Sequence, residues 1–415
     1  MMSSPQFKKY PHFQLHPQSI RMISQGHWWV TLDRFSGKIP QDVDLFWGQE
    51  QSAQAVGLFF HDPQHPHIKA RLWAQSPEET TLDFMTLLQR RLSEAFAKRK
   101  ELLHQKKIHR THFYWCFGEG DQLPGLFILQ LGSHLIIQMY AFYWKNHLPK
   151  IYDYLKAELE TTSFFLWTHE RVKLTSQPSL PVPQIISVSG FRAPNDITPQ
   201  SMIAQEGPFK IHLKLGQTYD YGLYTDMAAI RENLLAEFSF KQKRVLNLYA
   251  YTGAFSLMAL AAEAQYVLSV DLSAKYCEWM RENIELNFSD SSAHDIWQCS
   301  VEKALQQCID QKNTFDVIII DPPSFSGDGK KRISAQEMYN KQISILSQLL
   351  SREGILITFL NNHSINLKKF QNIFTEKMGP QFQFISAYKL HQDCPTLKGF
   401  PEGDYLKGLS WRKKS

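Results

Sequence analysis

The chain has 415 residues, with 45 Lys and Arg against 40 Asp and Glu and a formal net charge of +5. Hydrophobic residues make up 43% and charged residues 20%, which excludes a disordered chain and suits two or three packed domains. The positive excess is small, so it permits an acidic partner such as nucleic acid without demanding one.

The five cysteines, Cys116, Cys277, Cys299, Cys308 and Cys394, are scattered and form no Cys-x-x-Cys pair. That argues against a disulfide framework and against a metal site, and for a reducing compartment. No stretch approaches the ~18 apolar residues of a membrane span, and the first residues carry no apolar signal core. The expected setting is the cytoplasm, with no membrane partner.

In chain order, WWVTL, VDLFW, AVGLFF and IKARLW read as short strands rich in Val, Trp and Phe, the pattern of a small β-sheet or barrel. From Pro77 to about Gln105, Leu82, Met85, Leu88, Leu92 and Phe96 recur at helical spacing. This helix ends in a basic run, Lys98, Arg99, Lys100, Lys106, Lys107 and Arg110. Two readings stay open for it: a solvated helix end, or a surface for phosphates. FILQL and HLIIQMY then predict a hairpin, and a helix is expected near Trp144–Leu159.

Prolines between Ser176 and Pro208 predict an irregular connection with a domain boundary near Pro199. Beyond it RVLNLYA, YVLSVDL, DVIIID and GILITFL alternate with helical patterns. Such continuous apolar strands belong to a parallel sheet covered on both faces, an α/β fold.

The candidate site lies on that sheet. The strand Val245–Ala250 runs into Tyr251, Thr252 and Gly253, and the next strand ends in Asp271 and Leu272. These two places form the crevice edge where open α/β sheets bind nucleoside ligands. Gly253 allows close backbone approach, and Asp271 can accept from both ribose hydroxyls. The single glycine lacks the Gly-x-Gly-x-x-Gly turn of a dinucleotide site; S-adenosylmethionine carries no phosphate and needs no such cradle. The strand Asp316–Asp321 ends in Pro322, Pro323, Ser324 and Phe325. Two prolines make a rigid extended loop whose carbonyls face outward, and Phe325 offers a ring for stacking a base.

With YGLYTDMAAIREN, VLNLYAYTGAFS, SVDLS, DPPSF and PEGDYLKG in this order, the chain resembles the class I S-adenosylmethionine-dependent methyltransferases of 23S ribosomal RNA, close to the large-subunit methyltransferases I and K. Gly26-His-Trp-Trp-Val30 resembles a segment of that family's N-terminal PUA domain, and Gly118–Leu126 one of its middle domain. The resemblance implies a PUA-like RNA-binding domain over 1–76, an α+β middle docking domain over 77–199 and a Rossmann-like methyltransferase domain over 200–415. It implies S-adenosylmethionine held by Tyr224, Asp226, Asn247, Tyr251, Thr252, Gly253, Asp271, Leu272, Ser300 and Asp321. It implies catalysis at Asp321, Pro322, Pro323, Phe325 and Asn361, and 23S ribosomal RNA or a large-subunit precursor as partner. The PUA-like domain is expected either to contact RNA or to form a homodimer.

The sequence departs from the pattern in places. Ser300 stands where the family usually has an Asp on the adenine amino group, and Met227 and Ala228 replace a Gln or His and an Arg. Methyltransferase I makes 5-methylcytosine through a cysteine in a TFSCS-like segment, whereas here the segment is Thr358-Phe-Leu-Asn-Asn-His-Ser364. Asn361 and Asn362 instead resemble methyltransferase K, which makes 7-methylguanine. The favoured expectation is methylation of a base nitrogen, guanine N7 first. The alternatives are 5-methylcytosine formation, action on a small molecule or protein, and a catalytically silent RNA-binding assembly factor.

Overall fold

The computed structural model describes residues 9–31, 39–40, 42–172, 180–323, 325–326 and 333–414. It divides into two compact units.

The first unit holds the described residues up to Met202 together with Lys214–Tyr221 and Gln392–Gly403. It opens with β1 (His12–Gln14), α1 (Pro17–Ser24), β2 (Trp29–Thr31), β3 (Leu45–Gln49), β4 (Ala55–His61) and β5 (Ile68–Ala74). The five strands form one sheet in the order β1-β3-β4-β5-β2. Helix α1 was not legible as a helix; it starts on Pro17 behind His16, whose ring accepts from the Gln18 amide. Helix α2 (Phe84–His104) begins later than the expected Pro77 because Asp83 caps it, accepting from the Met85 and Thr86 amides at 2.9 and 3.1 Å.

Strands β6 (His112–Phe117), β7 (Leu126–Leu131) and β8 (His134–Met139), helix α3 (Leu148–Glu158), and strands β9 (Phe165–Glu170) and β10 (Gln184–Ile186) follow. They make a second sheet in the order β10-β9-β8-β7-β6. The expected β7–β8 hairpin is present, and β9 lies parallel to β8 by way of α3. Trp47, Phe60 and Trp73 of the first sheet share one hydrophobic core with Leu88, Leu92 and Phe96 of α2 and with Trp115 and Ile137 of the second.

The basic end of α2 divides. Lys98, Lys106 and Lys107 are exposed, whereas Arg99 and Arg110 fit neither of the two readings, because both are buried. Arg99 grips Asp121 through two bonds of 2.7 and 2.6 Å. Arg110 meets Asp393 at 2.6 Å, and the other oxygen of Asp393 accepts from the Tyr114 amide.

The second unit holds Ile203–Leu213, Gly222–His391 and the described residues from Asp404 onward. Its elements are β11 (Ile203–Glu206), β12 (Phe209–His212), α4 (Ala228–Glu237), β13 (Arg244–Leu248), α5 (Ala254–Ala261), β14 (Tyr266–Asp271), α6 (Ala274–Asn287), β15 (His294–Gln298), α7 (Val301–Asp310), β16 (Phe315–Ile320), β17 (Phe325–Ser326), β18 (Ile333–Ser334), α8 (Ala335–Leu349), β19 (Leu350–Asn361), α9 (Leu367–Met378), β20 (Phe382–Lys389) and β21 (Leu406–Lys413). A seven-stranded sheet runs β15-β14-β13-β16-β19-β21-β20. The expected strands are there and pair in parallel. Only β21 reverses, lying antiparallel between β19 and β20. One core of Leu246, Leu268, Ile318, Leu356, Leu409 and their neighbours holds the sheet to α7, α8 and α9.

Asp393→Ala strands the buried Arg110 guanidinium without its carboxylate, so we expect a loss of about 3–5 kcal/mol in the stability of the first unit. Urea unfolding of the full chain, followed by tryptophan fluorescence, checks it.

Candidate active site

In the parallel sheet, β13, β14, β16 and β19 are neighbours, so their C-terminal ends open on one edge. That edge brings together Tyr249–Gly253, Asp271–Leu272, Asp321–Pro323 and Asn361, which is where an open α/β sheet places its ligand crevice.

The turn after β13 is forced into shape. Tyr249, Tyr251 and Gly253 have φ of 58°, 53° and 87°, all left-handed. That region is unfavourable for tyrosine and free for glycine. A Cβ at position 253 would come within 2.6 Å of Met280 Cγ. The turn is pinned by Thr252, which is fully buried: its Oγ1 donates to the Gly222 carbonyl at 2.6 Å, and its carbonyl accepts from Asn283 Nδ2 at 2.9 Å. Gly222 is itself left-handed and lies against the Trp279 ring.

Asp271 ties the first two strand ends together. Its Oδ2 accepts from the Tyr251 amide at 2.9 Å and its Oδ1 from the Ser273 amide at 2.8 Å. Burial raises the carboxyl's pKa, while these amides act in the opposite direction. Beside it Leu272 is 71% exposed, and across the turn Tyr224 is 54% exposed. The Tyr251 ring stands between Tyr224 and Tyr276, with centroids 5.0 and 4.5 Å away. An oriented carboxylate flanked by uncovered apolar and aromatic surface fits an adenosine-bearing cofactor. Ser300 is nearby in the fold, because the Cys299 amide bonds the Asp271 carbonyl; its hydroxyl caps α7 by accepting from the Lys303 amide.

Two of the expected cofactor residues are committed inside the fold. Thr252 serves the turn. Asn247 is buried, and its amide donates to Ser256 Oγ at the head of a chain that continues to Ser269 Oγ and His294 Nε2. Burial holds His294 near pKa 4, so this chain is neutral.

At the end of β16, Pro322 is buried and Pro323 exposed. Asp321 has its pKa raised to about 7, by burial first and then by the neighbouring Asp226 charge, with Arg231 opposing. Asp226 accepts from Tyr405 Oη at 2.5 Å, and Arg231 is held by Glu206 through two bonds of 2.7 and 2.6 Å. The sequence reading missed Tyr339. Its buried hydroxyl donates to the Phe359 carbonyl at 2.5 Å and accepts from the Phe359 amide, with the Ile320 carbonyl 3.1 Å away, joining β16 and β19 behind the site. It also missed Lys407, buried and bonded to the Asn362 and Asp404 carbonyls. Asn361 is exposed at the end of β19, and so is His363. Ser324 and the Phe325 side chain lie outside the described residues; the Phe325 backbone pairs with Ser334.

The sheet order and this strand-end crevice define a class I methyltransferase fold. Residues 198–410 match the S-adenosylmethionine-dependent methyltransferase family. The chain is 30% identical to ribosomal RNA large subunit methyltransferase I of Shigella boydii over 402 residues, covering 94% of this chain and 96% of that one. It is 31% identical to the protein of the same name from Cronobacter sakazakii over 349 residues, 83% and 84% of the two chains. Among solved structures, the methyltransferase SMU.776 complexed with SAH superposes with a TM-score of 0.80 at 20% identity, covering 97% of this chain and 100% of that one. The chain belongs to the S-adenosylmethionine-dependent methyltransferase family and is an enzyme with that cofactor. Among the described residues no helix is long and apolar enough to cross a membrane, and no cluster of His, Cys, Asp and Glu could hold a metal.

A carboxyl with a folded pKa near 7 binds its proton more tightly folded than unfolded. Its favourable contribution is therefore lost as pH rises from about 4 toward 7. Asp321→Asn removes that loss, so above pH ~7 the variant should be more stable than the parent by on the order of 2 kcal/mol. Chemical unfolding at a series of pH values checks it.

Proposed function

We propose that this enzyme methylates a base nitrogen of ribosomal RNA, the 23S RNA of the large subunit or its precursor, with guanine N7 as the favoured atom. The RNA class is supported by relatives named as ribosomal RNA large subunit methyltransferases, 30–31% identical over most of their length. Residues 1–76 are read as a PUA-like RNA-binding part, 77–199 as a docking part and 200–415 as the catalytic part. Bound at the crevice, S-adenosylmethionine supplies an electrophilic methyl group. Asp271 would hold its ribose, Leu272 and the tyrosines its adenine, Ser300 one adenine hydrogen bond, and the Tyr251–Gly253 turn with Asp226 its methionine end.

The observation that carries nitrogen over carbon is the state of the thiols. Carbon methylation of cytosine needs a thiolate to add to the ring. Thr358–Ser364 contains no cysteine. In the catalytic unit Cys277 and Cys308 are buried and Cys299 half-buried, and burial pushes all three thiol pKa values up, Cys308 to about 11. Such thiols are inert. Guanine N7 has a lone pair and no proton, so it needs no nucleophile and no base. Positioning by the Asp321–Pro322–Pro323 backbone, Asn361 and the Phe325 ring would suffice.

A second reading, methylation of an exocyclic amine, is favoured by the Asp321 carboxyl at about 7, poised to accept a proton at neutral pH.

Asp271→Ala should weaken S-adenosylmethionine binding at least about tenfold, the scale of one lost charge-assisted hydrogen-bond set, while far-UV circular dichroism is unchanged; titration calorimetry measures it. Mass spectrometry of nucleosides from RNA methylated in vitro should show 7-methylguanosine. An N-methylated exocyclic amine would favour the second reading, and 5-methylcytidine would overturn both.

A further inference from the structure

The basic run at the end of α2 holds two kinds of cation. Arg99 and Arg110 are buried and anchored: Arg99 bonds Asp121 and the Tyr114 carbonyl, and Arg110 bonds Asp393. Lys98, Lys106 and Lys107 are exposed, and among the described residues none of the three has an ion-pair partner. Other lysines of the first unit do: Lys100, Lys145 and Lys156 meet Glu158, Glu170 and Asp153 at 2.6, 2.8 and 3.0 Å. The helix end is shaped as well. The Lys106 amide reaches the Leu103 carbonyl at 3.0 Å and the Lys107 amide the Leu102 carbonyl at 2.9 Å, a Schellman reversal. Lys106 is left-handed there, with φ 52°, at the position that glycine holds without strain. The helix dipole does not account for the cluster. It favours cations in the last turn, where the basic residue is His104. Lys98 stands before that turn, and Lys106 and Lys107 stand beyond the helix end.

We propose that Lys98, Lys106 and Lys107 form a docking surface for the phosphate backbone of the RNA substrate. The proposal rests on the RNA reading above and gives it a contact surface on the first unit. Lys98 and Lys106 lie within about 12 Å along the helix axis, so the three charges act on one stretch of backbone. An unpaired lysine ammonium is a compact charge with three donors, suited to phosphate oxygens. Ala97–His109 contains no Phe, Tyr or Trp, so the surface offers no ring of that kind on which to stack a base. It therefore positions RNA without reading its sequence. A membrane surface fits less well, because a helix that lies on lipid needs a free apolar face, and Leu88, Leu92 and Phe96 of α2 are spent in the core. The buried arginines on either side hold the lysine-bearing backbone in place, so little order is lost when RNA binds.

The test is fluorescence anisotropy of the full chain with a fragment of large-subunit ribosomal RNA over a series of salt concentrations. Each lost phosphate contact lowers the slope of log affinity against log salt by about 1. The combined Lys98→Gln, Lys106→Gly and Lys107→Gln variant should therefore lower it by about 2–3 and bind at least about tenfold more weakly at about 0.1 M salt. Lys106→Gly alone removes one charge and also relieves the left-handed backbone. It should lower the slope by about 1 and unfold at no lower urea concentration than the parent, which separates lost contact from lost structure. An unchanged slope in the combined variant, folded by far-UV circular dichroism, overturns the proposal. If that variant does not fold, the slope of Lys106→Gly decides in the same way. Competition by polyglutamate as strong as by unlabelled RNA assigns the surface to an acidic protein and also overturns it. Methyl transfer to ribosomal RNA by the parent is measured beside these. Transfer with unchanged slopes in the variants sinks the surface alone. A parent that neither binds nor methylates ribosomal RNA sinks the catalytic reading and the surface with it.

Discussion

The crevice depends on one carboxylate. Asp271 accepts the Tyr251 amide with one oxygen and the Ser273 amide with the other, so it bridges the end of β13 to the start of α6. Two residues in the connecting turn, Tyr249 and Tyr251, sit at positive φ, a conformation that costs a non-glycine residue on the order of 1 kcal/mol or more. They persist because the turn is held from several sides: by Asp271, by Thr252 on the Gly222 carbonyl, and by Asn283 on the Thr252 carbonyl. The result is a backbone that presents the open Tyr224 and Leu272 surface without further rearrangement. A ligand that needs a preformed site loses less entropy on binding it.

The same logic recurs deeper in the edge. Asp321 is half-buried beside Asp226, a repulsive arrangement in a low-dielectric setting. It is tolerated because Arg231 lies close and is itself fixed by Glu206, while Tyr405 donates to Asp226. Tyr339 then joins Ile320 and Phe359, the residues immediately behind the two functional strand ends. The rigidity of the Asp-Pro-Pro loop is thus a property of its anchors as much as of its prolines.

Much of this was legible in the sequence. The apolar strand runs, the Gly253 turn and the acidic end of β14 already mark the strand-end crevice, because each depends on residues close in the chain. What sequence could not show was the use of side chains whose partners are remote. Asn247 and Thr252 read as ligand residues, yet their partners, Ser256, Gly222 and Asn283, turn them inward. Arg99 and Arg110 read as surface cations. Their counter-charges, Asp121 and Asp393, come from a short turn and from a segment nearly three hundred positions downstream. Helix α1 was hidden because it is only eight residues long and opens on Pro17 behind His16, too short a run for its periodicity to stand out.

Tyr339 and Asp62 make the same point. A tyrosine in an apolar helix looks like core until its hydroxyl is found between two strands. An aspartate after a strand looks like a turn residue until its carboxylate is found buried against Arg71. Both are polar atoms brought into the interior, where each must be satisfied or leave a cost. In Tyr339 the protein supplies every partner, so the residue fastens the fold. Asp62 meets the buried Arg71 in the same way, and Arg71 in turn reaches Glu119 and the Tyr140 carbonyl, so one buried arginine fastens the first sheet to the second.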